Sequence, residues 1–331
     1  MKILLCEAPA KISIKEVEIP GIKENEVLVK VKYCGICIYD LKRYLGLKNI
    51  NFPLVLGHEP VGIIEDFGKN VKNFSQGEKV VIDVKIKCGK CENCLKGLES
   101  RCTKSEASNG FSQYLALPQE NIYKLSPQMD LITATLAEPI ACLNHGFEKI
   151  KNHGENTFLI IGDGIMGVLA SFLAKRIKNG SVTLLGHHVN RLQVAEKIGL
   201  KNLFDSKKNI PRIGKFDTII FTVEERRILE DITNFLKPGG NILFIGELED
   251  GMYKFNFNKI YTNEYNFYGS KGYSRENFKS AVKTIEKFWK FLKNLITKIY
   301  SINELEIAFE DLKNRKILKG VLNLENARGE K

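Results

Sequence analysis

The chain of 331 residues carries 50 Lys and Arg against 39 Asp and Glu, a formal net charge of +11, with 44% hydrophobic residues and 8 cysteines. This balance excludes a disordered chain, and the length calls for two domains, each with its own core. The lysines are spread along the whole chain, with no basic block interleaved with aromatics and no recognition motif, so no nucleic-acid partner is expected.

The N-terminus, MKILLCEAPAK, holds a short apolar run before Glu7 and no cleavage pattern, and no stretch approaches the ~20 apolar residues of a membrane span. A soluble, cytoplasmic protein without a membrane partner is expected. Residues 1–130 read as short alternating segments between turns: ISIKEVEIP, EVLVKVKYCG, PVGIIEDFG, EKVVIDVKIKCG and FSQYLALP. Such alternation, rich in β-branched residues, predicts antiparallel strands in a barrel or sandwich. From about residue 139 the pattern becomes strand–helix alternation. TFLIIGDG is a predicted strand, IMGVLASFLAKRIKNG a helix, SVTLLG a strand, NRLQVAEKIG a helix, FDTIIFTV a strand, RRILEDITNFLKPGG a helix and NILFIG a strand. This is the pattern of βαβ crossovers and a parallel sheet covered on both faces. YNFYGSKG is expected to add a last strand, RENFKSAVKTIEKFWKFLKNL a helix with Phe278, Val282, Ile285 and Phe288 on one stripe, and the tail a further helix and strand.

The stretch IIGDGIMG places Gly162, Gly164, Ile165, Met166 and Gly167 in a G-x-G-x-x-G pattern between a predicted strand and helix. The first glycine makes the turn, the second admits a pyrophosphate, the third lets helix and strand pack, and the helix N-terminus offers amides to phosphate. After the next strand an acid is expected where a free adenosine 2′-OH is bound, but the chain has Gly186, His187 and His188, with Arg191 beyond. A glycine leaves room for a 2′-phosphate and the other three can donate to it, so NADP(H) is favoured over NAD(H).

Four of the cysteines, Cys88, Cys91, Cys94 and Cys102, fall within CGKCENCLKGLESRC. In a reducing compartment this spacing favours metal over disulfide, and four thiolates give zinc a closed, structural site. Cys37 in CGICIYD and His58 and Glu59 in LGHEP are residue types that a catalytic zinc takes.

Together, CGICIYD, GHEPVG, the four-cysteine stretch, GFSQYLALP, LAEPIACLNHG and GDGIMG resemble, in order and over essentially the full chain, the zinc-dependent medium-chain dehydrogenase/reductase family of alcohol, sorbitol and threonine dehydrogenases. The resemblance implies an α/β protein with a GroES-like β-rich catalytic domain and a Rossmann doubly wound parallel-sheet domain. It places the catalytic domain at 1–138 with a structural zinc lobe at 88–102, the cofactor domain at 139–273, and the returning C-terminal segment at 274–331. It makes Cys37 and His58 ligands of a catalytic zinc, offers Glu59 and Glu138 for the remaining protein ligand, and makes Asp40 the carboxylate that orients His58. It also implies a homodimer or homotetramer. Tyr39 stands where the family has Ser or Thr to relay the alcohol proton, and the segment after Cys102 is shorter than usual. The expected activity is zinc-dependent interconversion of a secondary alcohol (polyol, sugar, sugar phosphate or amino-alcohol) and its ketone with a nicotinamide cofactor, Tyr39 relaying the proton. The alternative is a non-catalytic or regulatory member in which Tyr39 fills the pocket.

Overall fold

The alternating segments pair as antiparallel strands. In chain order these are β1 (Lys2–Ala8), β2 (Lys11–Glu16), β3 (Glu26–Ile36), β4 (Leu54–Val55), β5 (Glu59–Phe67), β6 (Lys79–Ile82), β7 (Lys85–Ile86), β8 (Glu106–Ala107), β9 (Tyr114–Pro118) and β10 (Ile122–Lys124). Helices α1 (Ile38–Tyr44), α2 (Glu92–Leu95) and α3 (Leu131–Ala134) interrupt them. The computed structural model describes residues 1–150, 156–205, 213–224, 229, 232–246 and 252–325. They divide into two units, Met1–Glu138 with Ser274–Lys331, and Pro139–Tyr273.

In the first unit β3 is the spine. It pairs with β5 and β9, β5 pairs with β6, and β6 with β10, while β1 forms a smaller sheet with β2 and β4. Val27, Val29 and Val31 recur at the strand period and are all buried, meeting Val80, Ile82, Leu115 and Leu117 in one core. The β3–β5 ladder shifts register twice, and after the second shift Gly35 stands opposite Glu59. A Cβ on Gly35 would lie 1.9 Å from a Glu59 carboxylate oxygen, so only glycine leaves that carboxylate its place.

After α4 (Ala137–Lys149), the second unit holds β11 (Thr157–Ile161), α5 (Ile165–Arg176), β12 (Ser181–Gly186), α6 (Val189–Lys197), β13 (Asn202–Asp205), β14 (Phe216–Phe221), β15 (Leu236–Ile245), α7 (Phe257–Asn263) and β16 (Asn266–Ser270). The six strands are all parallel, in the order β13-β12-β11-β14-β15-β16. Phe158, Leu159, Ile160 and Ile161 are buried without alternation, as a strand covered on both faces requires. The order reverses between β11 and β14, and a doubly wound sheet binds its ligand at the carboxyl ends of the strands there.

One expected helix is corrected. Within RRILEDITNFLKPGG, residues 225–228, 230 and 231 lie outside the described residues, Ile232–Phe235 form a short 3-10 turn, and β15 already starts at Leu236. Pro238, Gly239 and Gly240 suit no helix interior; the ladder instead jumps from Phe216–Leu236 to Thr218–Asn241, taking up the extra residues as a bulge.

The chain then returns to the first unit as α8 (Arg275–Leu292), β17 (Ile296–Ser301), α9 (Leu305–Lys313) and β18 (Lys319–Asn323). Ser274 and Asn277 cap α8 reciprocally, Phe278, Ala281, Val282 and Ile285 are buried, and Phe288 is half-buried. Phe278 stacks on Tyr123 with ring centroids 4.9 Å apart, and Glu286 accepts from the Ser126 amide and hydroxyl at 2.7 and 2.6 Å. β18 pairs antiparallel with β3 and parallel with β17, completing the seven-stranded sheet. Among the described residues no helix is long and apolar enough to cross a membrane.

Because β18 covers one edge of β3, a chain cut after Tyr273 is expected to lose the first unit's cooperative unfolding. Scanning calorimetry checks this, and the intact chain's transition surviving in the truncated one would contradict it.

Candidate active site

β3 ends at Ile36 and hands Cys37 to the start of α1, where Cys37 is the N-cap in extended conformation. Asp40, in the first turn of α1, has no solvent exposure; its Oδ2 accepts from the Cys37 amide at 3.3 Å, and its Oδ1 accepts from the Gly57 amide at 3.0 Å and lies 3.1 Å from His58 Nδ1. Burial alone would raise its pKa, but His58 and the two amides outweigh that and hold the carboxyl below its usual value. An ionised carboxylate only accepts, so Nδ1 of His58 carries a proton toward Asp40, and Nε2 is the nitrogen that would give up its proton to bind a metal. Burial opposes a charged His58, and Asp40 reverses the balance, so its pKa lies well above the ordinary histidine value. Gly57 makes the preceding turn at φ 88°, with Phe111 where a Cβ would stand, 2.4 Å away.

Glu59 opens β5 directly after His58, and ligand atoms of Cys37, His58 and Glu59 all lie within 4.8 Å of one another. A sulfur, an imidazole nitrogen and a carboxylate oxygen brought together in this way fit a zinc ion with a position left open. Glu138, the other carboxylate expected from the sequence, lies outside that group of three, although its charge reaches Lys319. Tyr39 presents its ring edge-on to His58, centroids 6.2 Å apart, and is 41% exposed. Cys34 is fully buried and burial pushes its thiol up.

Lys319 is a site residue that no motif announces. It is 1% exposed, pairs with the Glu59 carboxylate and donates to the Ile36 carbonyl at 3.2 Å. Burial opposes the ammonium, but the charges of Glu59, Cys37 and Glu138 more than restore it, and its pKa is raised. The only local signal is a lysine inside the apolar run ILKGVLNL.

In the cysteine lobe, Cys88, Cys91, Cys94 and Cys102 are free thiols whose sulfurs lie within 4.8 Å of one another. The Cys91 amide points at Cys88 Sγ (3.3 Å) and the Cys88 amide at Cys102 Sγ (3.4 Å). Amides hold the Cys91 thiol down to about 5 and lower Cys102, whereas burial and the neighbouring sulfurs push Cys94 up to about 12. Four sulfurs this close cannot all ionise without a cation among them, and four thiolates are a structural zinc set. The lobe is anchored by Arg275, which donates to the Lys87 carbonyl at 2.8 Å and pairs with Glu99 at 3.5 Å, and by the buried Lys87–Asp83 pair at 2.6 Å.

In the second unit Gly162 follows β11 at φ 116°, Gly164 caps α5, Ile165 and Met166 begin the helix, and a Cβ on Gly167 would lie 1.8 Å from the Gly162 carbonyl oxygen. This close packing fits the backbone cradle of a dinucleotide pyrophosphate. An acid lies close to the loop after β12 in space. Asp163, inside the glycine motif, accepts from the amides of His187 (2.6 Å) and His188 (2.7 Å), and lies 2.9 Å from His188 Nδ1 and 3.8 Å from an Arg191 guanidinium nitrogen. Burial would raise its pKa, and the His188 and His187 groups lower it. The room at Gly186 is filled by this side chain, whose Cβ would stand 2.5 Å from a Cβ placed there.

Replacing Lys319 by Met leaves Glu59 as a lone buried charge, and equilibrium urea unfolding is expected to show a loss of about 3–5 kcal/mol, partly recovered in Lys319→Met/Glu59→Gln. A loss below about 1 kcal/mol would contradict the pairing.

Residues 23–127 match the family model for the alcohol dehydrogenase GroES-like domain, and residues 166–287 that for zinc-binding dehydrogenase. D-arabinitol dehydrogenase 1 of Uromyces fabae is 29% identical over 96% of both chains. L-galactonate-5-dehydrogenase of Escherichia coli (strain K12) is 27% identical over 97% of this chain and 98% of its own. The crystal structure of galactitol-1-phosphate dehydrogenase from Escherichia coli superposes with a TM-score of 0.87 at 25% identity, covering 98% of this chain and 100% of that one. Both domain models and full-length similarity agree with the geometry of the two units, and the chain belongs to the zinc-binding alcohol dehydrogenases, the zinc-dependent medium-chain dehydrogenase/reductase family of oxidoreductases.

Proposed function

We propose that the protein interconverts a secondary alcohol of a polyol or sugar derivative and its ketone, using zinc held by Cys37, His58 and Glu59 and a nicotinamide dinucleotide seated on Gly162–Gly167. The observation that carries this is the Cys37–His58–Glu59 cluster with Asp40 buried behind His58. When bound, zinc would polarise the carbinol oxygen and lower its pKa, and the dinucleotide would accept the hydride. Asp40 fixes the His58 ring and its tautomer, while Gly35 and Lys319 set where the Glu59 carboxylate can lie. Tyr39, beside His58 and partly exposed, is the relay that carries the carbinol proton toward solvent. Its exposure does not favour the non-catalytic alternative, which needs its ring to fill the pocket. Glu138 acts here through its charge on Lys319. Cys88, Cys91, Cys94 and Cys102 hold a second, structural zinc. The names of the relatives, an arabinitol, a galactonate and a galactitol phosphate dehydrogenase, support polyols and their acid or phosphate derivatives as the substrate class.

The sequence favours NADP(H), but Asp163 supports NAD(H). Two of the groups that could serve a 2′-phosphate, His188 and Arg191, face its carboxylate, the His187 amide donates to it, and its charge opposes a phosphate and suits a 2′-OH.

With zinc-loaded protein, a polyol panel and both dinucleotides, initial rates are expected to show NAD⁺ reduction by at least one polyol. Tyr39→Phe should lower kcat by about 10²–10⁴-fold. No turnover of any member would overturn the dehydrogenase reading. Asp163→Ser should shift the NADP/NAD ratio of kcat/KM toward NADP by about tenfold or more; an unchanged ratio would return the preference to the one expected from the sequence.

A further inference from the structure

Arg43 lies one turn after Tyr39 on α1, with its guanidinium carbon 5.9 Å from the centre of the Tyr39 ring, whose edge meets His58. Its Nε is buried and has no hydrogen-bond partner, and no ion pair is formed by Arg43 among the described residues. That nitrogen is closed to a ligand, so the two terminal nitrogens of the guanidinium are what a substrate beside Tyr39 would meet. The aromatic face keeps the guanidinium oriented, and the rigid fork of donors is matched by a carboxylate or a phosphate, which takes two parallel hydrogen bonds from it. A neutral hydroxyl would satisfy at most part of that fork.

We propose that Arg43, stacked on Tyr39, is the specificity-determining residue for an anionic end group, carboxylate or phosphate, on the polyol whose carbinol is oxidised at Cys37, His58 and Glu59. The assignment rests on the dehydrogenase reading above and narrows its substrate to aldonates or polyol phosphates. No charge is transferred to Arg43 in the reaction; it positions the substrate by its remote end, and its effect falls mainly on KM.

The test compares a hexitol, a hexonate and a hexitol 1-phosphate as substrates of zinc-loaded protein with NAD⁺, in the parent and in Arg43→Gln. One anionic substrate is expected to exceed the hexitol in kcat/KM by about tenfold or more, and Arg43→Gln to lower that ratio by about tenfold or more, chiefly through KM. The arm that responds distinguishes carboxylate from phosphate. Oxidation of the hexitol with no anionic preference, or an equal ratio in Arg43→Gln, overturns the assignment and leaves the dehydrogenase reading standing. Should no compound be oxidised, calorimetric titration of hexonate and hexitol phosphate into the zinc-loaded, NAD⁺-bound protein decides: binding weakened in Arg43→Gln supports the subsite, and equal or absent binding overturns it.

Discussion

Everything at the candidate zinc site hangs on one buried carboxylate. Asp40 has no contact with water, and an ionised acid in that position is tolerated only because three donors from two separate stretches of the chain converge on it. The Cys37 amide comes from the end of β3, the Gly57 amide from the turn before β5, and His58 Nδ1 from the residue beyond. Satisfying Asp40 therefore closes the α1 start onto the GHEP turn, which sets Cys37 beside His58. The same contact fixes the imidazole tautomer, so folding and ligand geometry share one interaction.

The second constraint comes from the far end of the sequence. β18 enters the sheet beside β3, and that register brings Lys319 against the Ile36 carbonyl and the Glu59 carboxylate. Gly35 leaves room for the same carboxylate oxygen. Glu59 is thus held between a missing side chain and a buried cation, which gives the C-terminal segment a role in the site as well as in the sheet. The cysteine lobe is tied in by the same return of the chain, through Arg275 at the start of α8.

Features fixed by local pattern were legible in the sequence. The alternating strands, the G-x-G-x-x-G turn, the α8 stripe and the four-cysteine spacing each depend on neighbours within a few residues. Cys37 and His58 lie 21 positions apart, and only resemblance joined them. β1, α1 and β17 carry no such local pattern, β1 because ILL is a bare apolar run. The helix expected through residues 236–240 yielded to strand pairing at a Pro-Gly-Gly bulge. Asp163 meets the loop after β12 only in space, because parallel pairing of β11 and β12 sets the residue after Gly162 against Gly186. Lys319 and Arg43 are likewise ordinary surface-type residues until the register of β18 and the turn of α1 place them.

The central claim is that Cys37, His58 and Glu59 form a metal centre separate from the cysteine lobe. The most direct measurement is zinc per chain by elemental analysis of the purified protein beside a Cys37→Ala variant. The account predicts about two zinc ions in the parent and about one in the variant. About one in both would leave the four-cysteine lobe as the only occupied site and contradict it.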